Sequence, residues 1–127
     1  MRAEAEALPT ILVVDDEAPI RNLISNLLSG EYEVLTAADG LEAKSVVESF
    51  GGRLAAVITD VQMPHMDGRA LVEWLFAQGM NVPVILMSGN VGEVKIGHLL
   101  QRPRVKWLPK PFNIENLEAA LKSILDH

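Results

Sequence analysis

The sequence predicts an α/β fold: a doubly wound, five-stranded parallel sheet, strand order 2-1-3-4-5, with helices on both faces. Two observations lead there. Short apolar runs of strand character alternate with amphipathic stretches of about 10 to 15 residues, a rhythm that calls for right-handed crossovers between parallel strands. Four of the five runs also end at residues able to do chemistry, namely Asp15-Asp16, Asp60, Ser88 and Lys110-Pro111. In such a sheet the carboxyl ends of neighbouring strands open onto one crevice, where ligands bind.

Residues 1–9 (MRAEAEALP) are polar and alanine-rich and end in proline, so they are expected to form a loosely ordered leader to a folded domain at 10–127. Ile11, Leu12, Val13 and Val14 form an unbroken apolar run, as a strand buried on both faces would. Ile20, Leu23, Ile24, Leu27 and Leu28 then fall at helical spacing, with Asp16 or Glu17 near the start and Pro19 in the first turn. Residues 34–37 read as the second strand. Asp39-Gly40-Leu41-Glu42 resembles a capping box and opens a helix whose apolar face is Ala43, Val46, Val47 and Phe50.

The third strand is expected at 54–59, and a helix at 68–78 turns Leu71, Val72 and Leu75 inward. The fourth strand is expected at 82–87 and the fifth at 105–108. Between them, Gly92, Gly97 and Pro103 limit any helix to a short or frayed one. Asn113 caps the last helix, which repeats Ile114, Leu117, Leu121, Ile124 and Leu125. Trp74 and Phe76 stand on the third helix, where Trp74 reads as a core contact.

At 127 residues this is one domain, long enough to bury roughly two thirds of its unfolded surface. The formal charge is −6 and no Lys or Arg stripe is visible, which disfavours nucleic-acid binding through phosphates. There is no cysteine, so disulfides, thiolate metal sites and thiol nucleophiles are excluded. No secretory signal is visible, and no apolar run approaches the ~20 residues of a spanning helix. A cytoplasmic protein without membrane contact is the expectation.

Strands one and three are neighbours in this order, so Asp15, Asp16 and Asp60 are expected to share one small volume. Clustered carboxylates repel one another and raise the pKa of at least one member. Mg2+ relieves this, because it prefers oxygen donors and binds through one or two carboxylates plus phosphate and water. The plainer alternative is that Asp15 and Asp16 only cap the first helix. Asp60 is a carboxylate able to attack phosphorus and form an aspartyl phosphate. Lys110 supplies fixed positive charge, Ser88 a hydroxyl donor, and Gly89 room for the phosphoryl group. His65, His98 and His127 show no ligand or phosphodonor spacing.

Taken in order, Ile11 to Asp16, the loop Asp60-Val61-Gln62-Met63-Pro64-His65-Met66-Asp67-Gly68, Met87-Ser88-Gly89 and Leu108-Pro109-Lys110-Pro111-Phe112 resemble the receiver domain of two-component response regulators. The likeness runs from Thr10 to Asp126. It implies a flavodoxin-like receiver fold and a phosphoryl group passed to Asp60 from a phosphohistidine on a histidine kinase or histidine phosphotransfer protein. It implies Mg2+ held by Asp15, Asp16, Asp60 and the backbone carbonyl of Gln62. Ser88 and Trp107 would move on phosphorylation, with Lys110 completing the switch. Gln62 and Asn90 would tune the lifetime of the acyl phosphate, and Pro111 would follow a cis peptide bond.

The same resemblance implies a phosphorelay signalling module and not an enzyme, catalysing only its own phosphoryl uptake and slow self-dephosphorylation. An output partner or a second copy would bind the face of the fourth helix, fifth strand and fifth helix. Three features depart from the family pattern: Trp107 in place of Tyr or Phe, Pro103-Arg104 in place of Gly-Ala, and a glycine-rich fourth helix. The alternative reading is a constitutive interaction module of the same fold that is never phosphorylated. A Mg2+-dependent phosphatase would want a second acid two residues after Asp60, where Gln62 stands. A flavin domain would want a phosphate-cradling loop after the first strand.

Overall fold

The five apolar runs lie side by side as one parallel sheet in the order β2-β1-β3-β4-β5. The computed structural model describes residues 8–89 and 96–125. Its elements are β1 (Thr10–Val14), α1 (Ala18–Leu28), β2 (Glu33–Ala37), α2 (Gly40–Phe50), β3 (Ala56–Asp60), α3 (Gly68–Ala77), β4 (Val84–Ser88), α4 (Gly97–Leu100), β5 (Val105–Pro109) and α5 (Ile114–Leu125). Residues 1–7 of the sequence-predicted leader at 1–9, together with Asn90, Gly92 and His127, lie outside the described residues.

Alternation along the central strands builds two cores. Leu12, Val14, Val57, Val84 and Leu86 face one way, against Ala43 and Val47 of α2, Leu71, Val72 and Leu75 of α3, and Leu99 of α4. Ile11, Val13, Ile58, Ile85 and Met87 face the other, against Ile24 and Leu28 of α1 and Leu117, Leu121 and Ile124 of α5. Every residue of β3 and β4 is buried. Each large apolar side chain so enclosed contributes about 1.5–3 kcal/mol. The buried strands thereby form a stiff platform for whatever follows their last residues.

Three residues assigned to inner faces point outward: Leu23, Phe50 and Ile114 are 46%, 37% and 44% exposed. Each face of the sheet is shared among two or three helices, so the margins of each apolar stripe reach solvent. β3 begins at Ala56, two residues later than expected, with Leu54 buried ahead of it. β4 begins at Val84, after Pro83, whose missing N–H cannot join the ladder. Trp74 and Phe76 are partly buried against the core. Lys44 lies over the Trp74 ring at 5.1 Å and Arg102 over the Phe76 ring at 4.0 Å.

Helix starts follow the capping residues. Asp39 Oδ1 accepts from Glu42 N at 2.9 Å, Asp67 Oδ1 from Ala70 N at 2.8 Å, and Asn113 Oδ1 from Asn116 N at 2.8 Å. Glu42 reaches back to Ala38 N, one residue before the position a capping box would use. Glu17 stands at the N-cap of α1, at the start of the helix as the sequence predicts, and makes no side-chain cap bond. Arg104, where the resemblance would place a small residue, donates to the carbonyl of Ile124 at 3.3 and 3.4 Å and so caps the end of α5.

Candidate functional site

The register places Val14 beside Thr59, so Asp15 and Asp60 follow on adjacent strands at one edge of the sheet. Asp15 is fully buried, Asp60 is 7% exposed and Asp16 is open to solvent. One carboxylate oxygen from each lies within 4.8 Å of the other two. Lys110, just past β5, crosses the end of β4 to reach them. Its Nζ stands 3.1 Å from Asp15 Oδ2 and 3.2 Å from Asp60 Oδ2. The peptide bond between Lys110 and Pro111 is cis, as the resemblance implies.

Burial and charge pull against each other here. Burial pushes the Asp60 carboxyl above its ordinary value, and neighbouring Asp15 adds to this; Lys110 and the Gln62 N–H hydrogen bond oppose it without prevailing. For Lys110, burial favours the neutral amine, but the carboxylates of Asp60 and Asp15 together outweigh it and raise its pKa. Asp15 is held from both ends, its Oδ1 accepting from Glu17 N at 2.8 Å and its main-chain oxygen from Arg21 at 2.7 Å.

Three carboxylates facing a single ammonium leave the cluster short of positive charge. Hard oxygen donors, two buried and one exposed, suit a small divalent cation that keeps part of its water shell. The donor set therefore fits Mg2+, with Asp15, Asp16 and Asp60 as the side chains that would hold it. Helix capping does not account for the cluster, because Asp16 makes no cap and Asp60 lies on another strand.

Ser88 ends β4 and is 2% exposed. Its main-chain oxygen accepts from Lys110 N at 3.1 Å and from Trp107 Nε1 at 3.2 Å. Among the described residues, a methyl group at Gly89 would meet Lys110 O alone, at 3.8 Å. Trp107 lies outward on β5, 43% exposed. Gly68 is where the site allows no side chain: a Cβ there would stand 2.1 Å from the main-chain oxygen of Asp60. Asp60, Ser88, Trp107, Lys110, Asp15, Asp16 and Gln62 thus gather at one edge, while Asn90 lies outside the described residues.

Sequence reasoning set His65 aside. In the structure its Nδ1 lies 2.8 Å from Asp39 Oδ2, tying the loop after Asp60 to the start of α2. The only signals available were a loop histidine and an Asp-Gly pair apart from it in the chain, and neither announces the other.

The family model of the response regulator receiver domain matches residues 11–122. This chain belongs to that family. The receiver is 34% identical over 118 residues to the sensor kinase CckA of Brucella abortus, covering 92% of this chain and 12% of that protein. It is 35% identical over 118 residues to the response regulator MprA of Mycobacterium sp. (strain KMS), covering 91% of this chain and 50% of that one. It therefore spans half or less of the length of these relatives.

Among solved structures, the chemotaxis protein CheY4 of Vibrio cholerae superposes with a TM-score of 0.81 at 33% identity, covering 94% of this chain and all of that one. The receiver domain of the hybrid histidine kinase CckA gives 0.75 at 35% identity, covering 92% and 99%. Receiver domains are phosphoacceptor modules of two-component signalling, not classical enzymes. They bind Mg2+ at an acidic aspartate cluster, which is present here, and interact with histidine kinases or phosphotransfer proteins. Among the described residues no helix is long and apolar enough to cross a membrane.

Proposed function

We propose that Asp60 is the phosphoacceptor and that residues 10–127 form the receiver unit behind a leader at 1–9. The observation that carries this is the shared contact of Lys110 with Asp15 and Asp60, at 3.1 and 3.2 Å, at the carboxyl edge of the sheet. An Asp60 oxygen attacks the phosphorus of a phosphohistidine; the O–P bond forms as the P–N bond breaks, and the imidazole nitrogen keeps the electron pair. The chain need only position the groups and neutralise charge. Asp60 is the only buried acid on β3, and its raised pKa reflects a carboxylate kept poor in solvent.

Asp15, Asp16, Asp60 and the main-chain oxygen of Gln62 would hold Mg2+, which when bound supplies positive charge to the phosphoryl oxygens. Lys110 offers its ammonium to the same oxygens and frees part of its hold on Asp60 as the acyl phosphate forms. Ser88 donates its hydroxyl to the phosphoryl group. That movement draws on the carbonyl shared with Trp107, which links the site to β5. Gln62 and Asn90 govern water access and so the lifetime of the phosphate, and the chain catalyses only this uptake and the slow attack of water that releases inorganic phosphate and restores the free carboxylate.

The face made by α4, β5 and α5 is the surface offered to an output partner or second copy, and the whole acts in the cytoplasm. Incubation with a phosphohistidine donor or a small acyl phosphate and Mg2+ should label wild type in a hydroxylamine-sensitive form. The same treatment should leave Asp60→Asn unlabelled. Acid-stable labelling that survives Asp60→Asn would overturn the assignment. Failure of wild type to label with any donor would favour the constitutive interaction module.

A further inference from the structure

We infer that the bridge between Asp39 and His65 is a positioning clasp that sets the loop carrying Gln62 against the carboxylate cluster. This rests on the reading of that cluster as the Mg2+ site. The loop from Asp60 to α3 is fixed at its ends, by Val61 N to Met87 O at 2.9 Å and Gly68 N to Val61 O at 2.8 Å. Its middle is fixed by α2 in two ways. Gly40 N donates to Met66 O at 2.9 Å, and His65 Nδ1 meets Asp39 Oδ2 at 2.8 Å.

Each partner is shaped for this contact. Asp39 uses Oδ1 to cap α2, at 2.9 Å from Glu42 N, and leaves Oδ2 for the imidazole. Gly40 admits the loop because any Cβ there would lie 2.6 Å from Met66 O and 2.7 Å from the Met66 side chain. His65 has φ +67°, the only positive φ outside glycine among the described residues. A backbone held there against its preference needs a contact that holds it. Packing does not provide one, since the His65 side chain is 66% exposed whereas that of Asp39 is 15% exposed. Met66 N donates to Pro64 O across His65 at 2.7 Å and closes that turn, and the bridge joins the turn to a helix cap that is itself fixed.

A clasp of this kind orients a ligand-bearing loop in the way that outer hydrogen bonds orient metal ligands. It acts through the Gln62 peptide, so His65 is a positioning residue and touches no reacting atom.

Two variants isolate the bridge. His65→Gly keeps the left-handed backbone free of strain but loses the imidazole. Asp39→Ser keeps a good N-cap but has one oxygen instead of two. In metal-free protein, amide exchange at Gly40, the donor to Met66, should quicken about ten-fold in each variant and no further in the double variant. Mg2+ affinity, read by equilibrium titration, should weaken about ten-fold in each, with Asp60 labelling at saturating Mg2+ kept within about two-fold of wild type. Wild-type exchange and wild-type affinity in both single variants, or effects that add in the double variant, would overturn the clasp. Wild type that binds no Mg2+ would instead sink the metal-site reading, and the exchange measurement would still decide the clasp.

Discussion

Lys110 Nζ stands 3.2 Å from Asp60 Oδ2, and the same ammonium is 3.1 Å from Asp15 Oδ2. One cation therefore stabilises two buried carboxylates, and it cannot serve both fully. Replacing it with Met leaves the pair without a counter-charge in a poorly solvated pocket. Lys110→Met should lower metal-free stability by about 2 kcal/mol in urea unfolding at neutral pH. Labelling of Asp60 should fall at least ten-fold even in saturating Mg2+, because the developing phosphoryl charge loses its fixed partner. Unchanged labelling would show that Lys110 serves the fold alone.

Asp60→Asn removes the buried charge and keeps the shape. Without metal, at pH 7, the variant should be more stable than wild type by about 1 kcal/mol. Millimolar Mg2+ should reverse the ranking, since only wild type gains stability by binding. Melting curves with and without EDTA test both halves. A wild-type melting temperature indifferent to Mg2+ would count against the aspartate cluster as a cation site.

The pH dependence follows from two shifts of opposite sign. The folded pKa of Asp60 is raised above 3.8, so the folded chain holds that proton more tightly than the unfolded chain. Its contribution to stability is fully present below 3.8 and is lost as pH rises through the folded value. Asp39 is lowered, first by the Glu42 N–H and then by His65. Its contribution is present above 3.8 and is lost as pH falls through the folded value. In metal-free urea titrations, the deficit of wild type relative to Asp60→Asn should grow as pH climbs above 3.8. A deficit that is flat across that window would mean Asp60 titrates as an ordinary surface acid.

Gly68→Ala adds a single methyl group where the Asp60 carbonyl already stands. A Cβ at 2.1 Å from a main-chain oxygen cannot be relieved by a rotamer change. Either α3 moves away or the strand end bends. Stability should fall by about 3 kcal/mol, and the surviving folded fraction should label slowly because Asp60 is displaced. Wild-type values for both would mean that α3 can draw back from β3 at no cost.

Trp107 offers an optical test once Trp74 is replaced by Phe. The Trp107 indole is half in water and bonded to Ser88 O at 3.2 Å. Addition of Mg2+ with a phosphoryl analogue such as a beryllium fluoride should change its emission intensity. Ser88→Ala should reduce the change if its hydroxyl is the proposed donor to the phosphoryl group. Emission unaffected by the analogue would remove Trp107 from the switch.

Much of the fold was legible because burial on both faces writes strands as unbroken apolar runs: Ile11 to Val14 and Val84 to Met87 admit little else. Strand order also brought Asp15, Asp16 and Asp60 together without any knowledge of side-chain geometry. The misplaced residues share one cause. Leu23, Phe50 and Ile114 sit at the margin of helical stripes, and periodicity cannot say where a sheet stops covering them. The start of β4 was set by Pro83 and its missing donor, a local rule that the apolar run concealed. His65 was illegible for a different reason: its partner Asp39 belongs to another crossover, and only the folded chain makes them neighbours.

The oxygen of Ser88 accepts from both the Lys110 amide and the Trp107 indole, so one peptide group anchors the cation's strand and the ring together. Any rotation of that peptide loosens both at once. A spectroscopic reporter placed on the indole would consequently follow any turn of that peptide at the mouth of the carboxylate crevice.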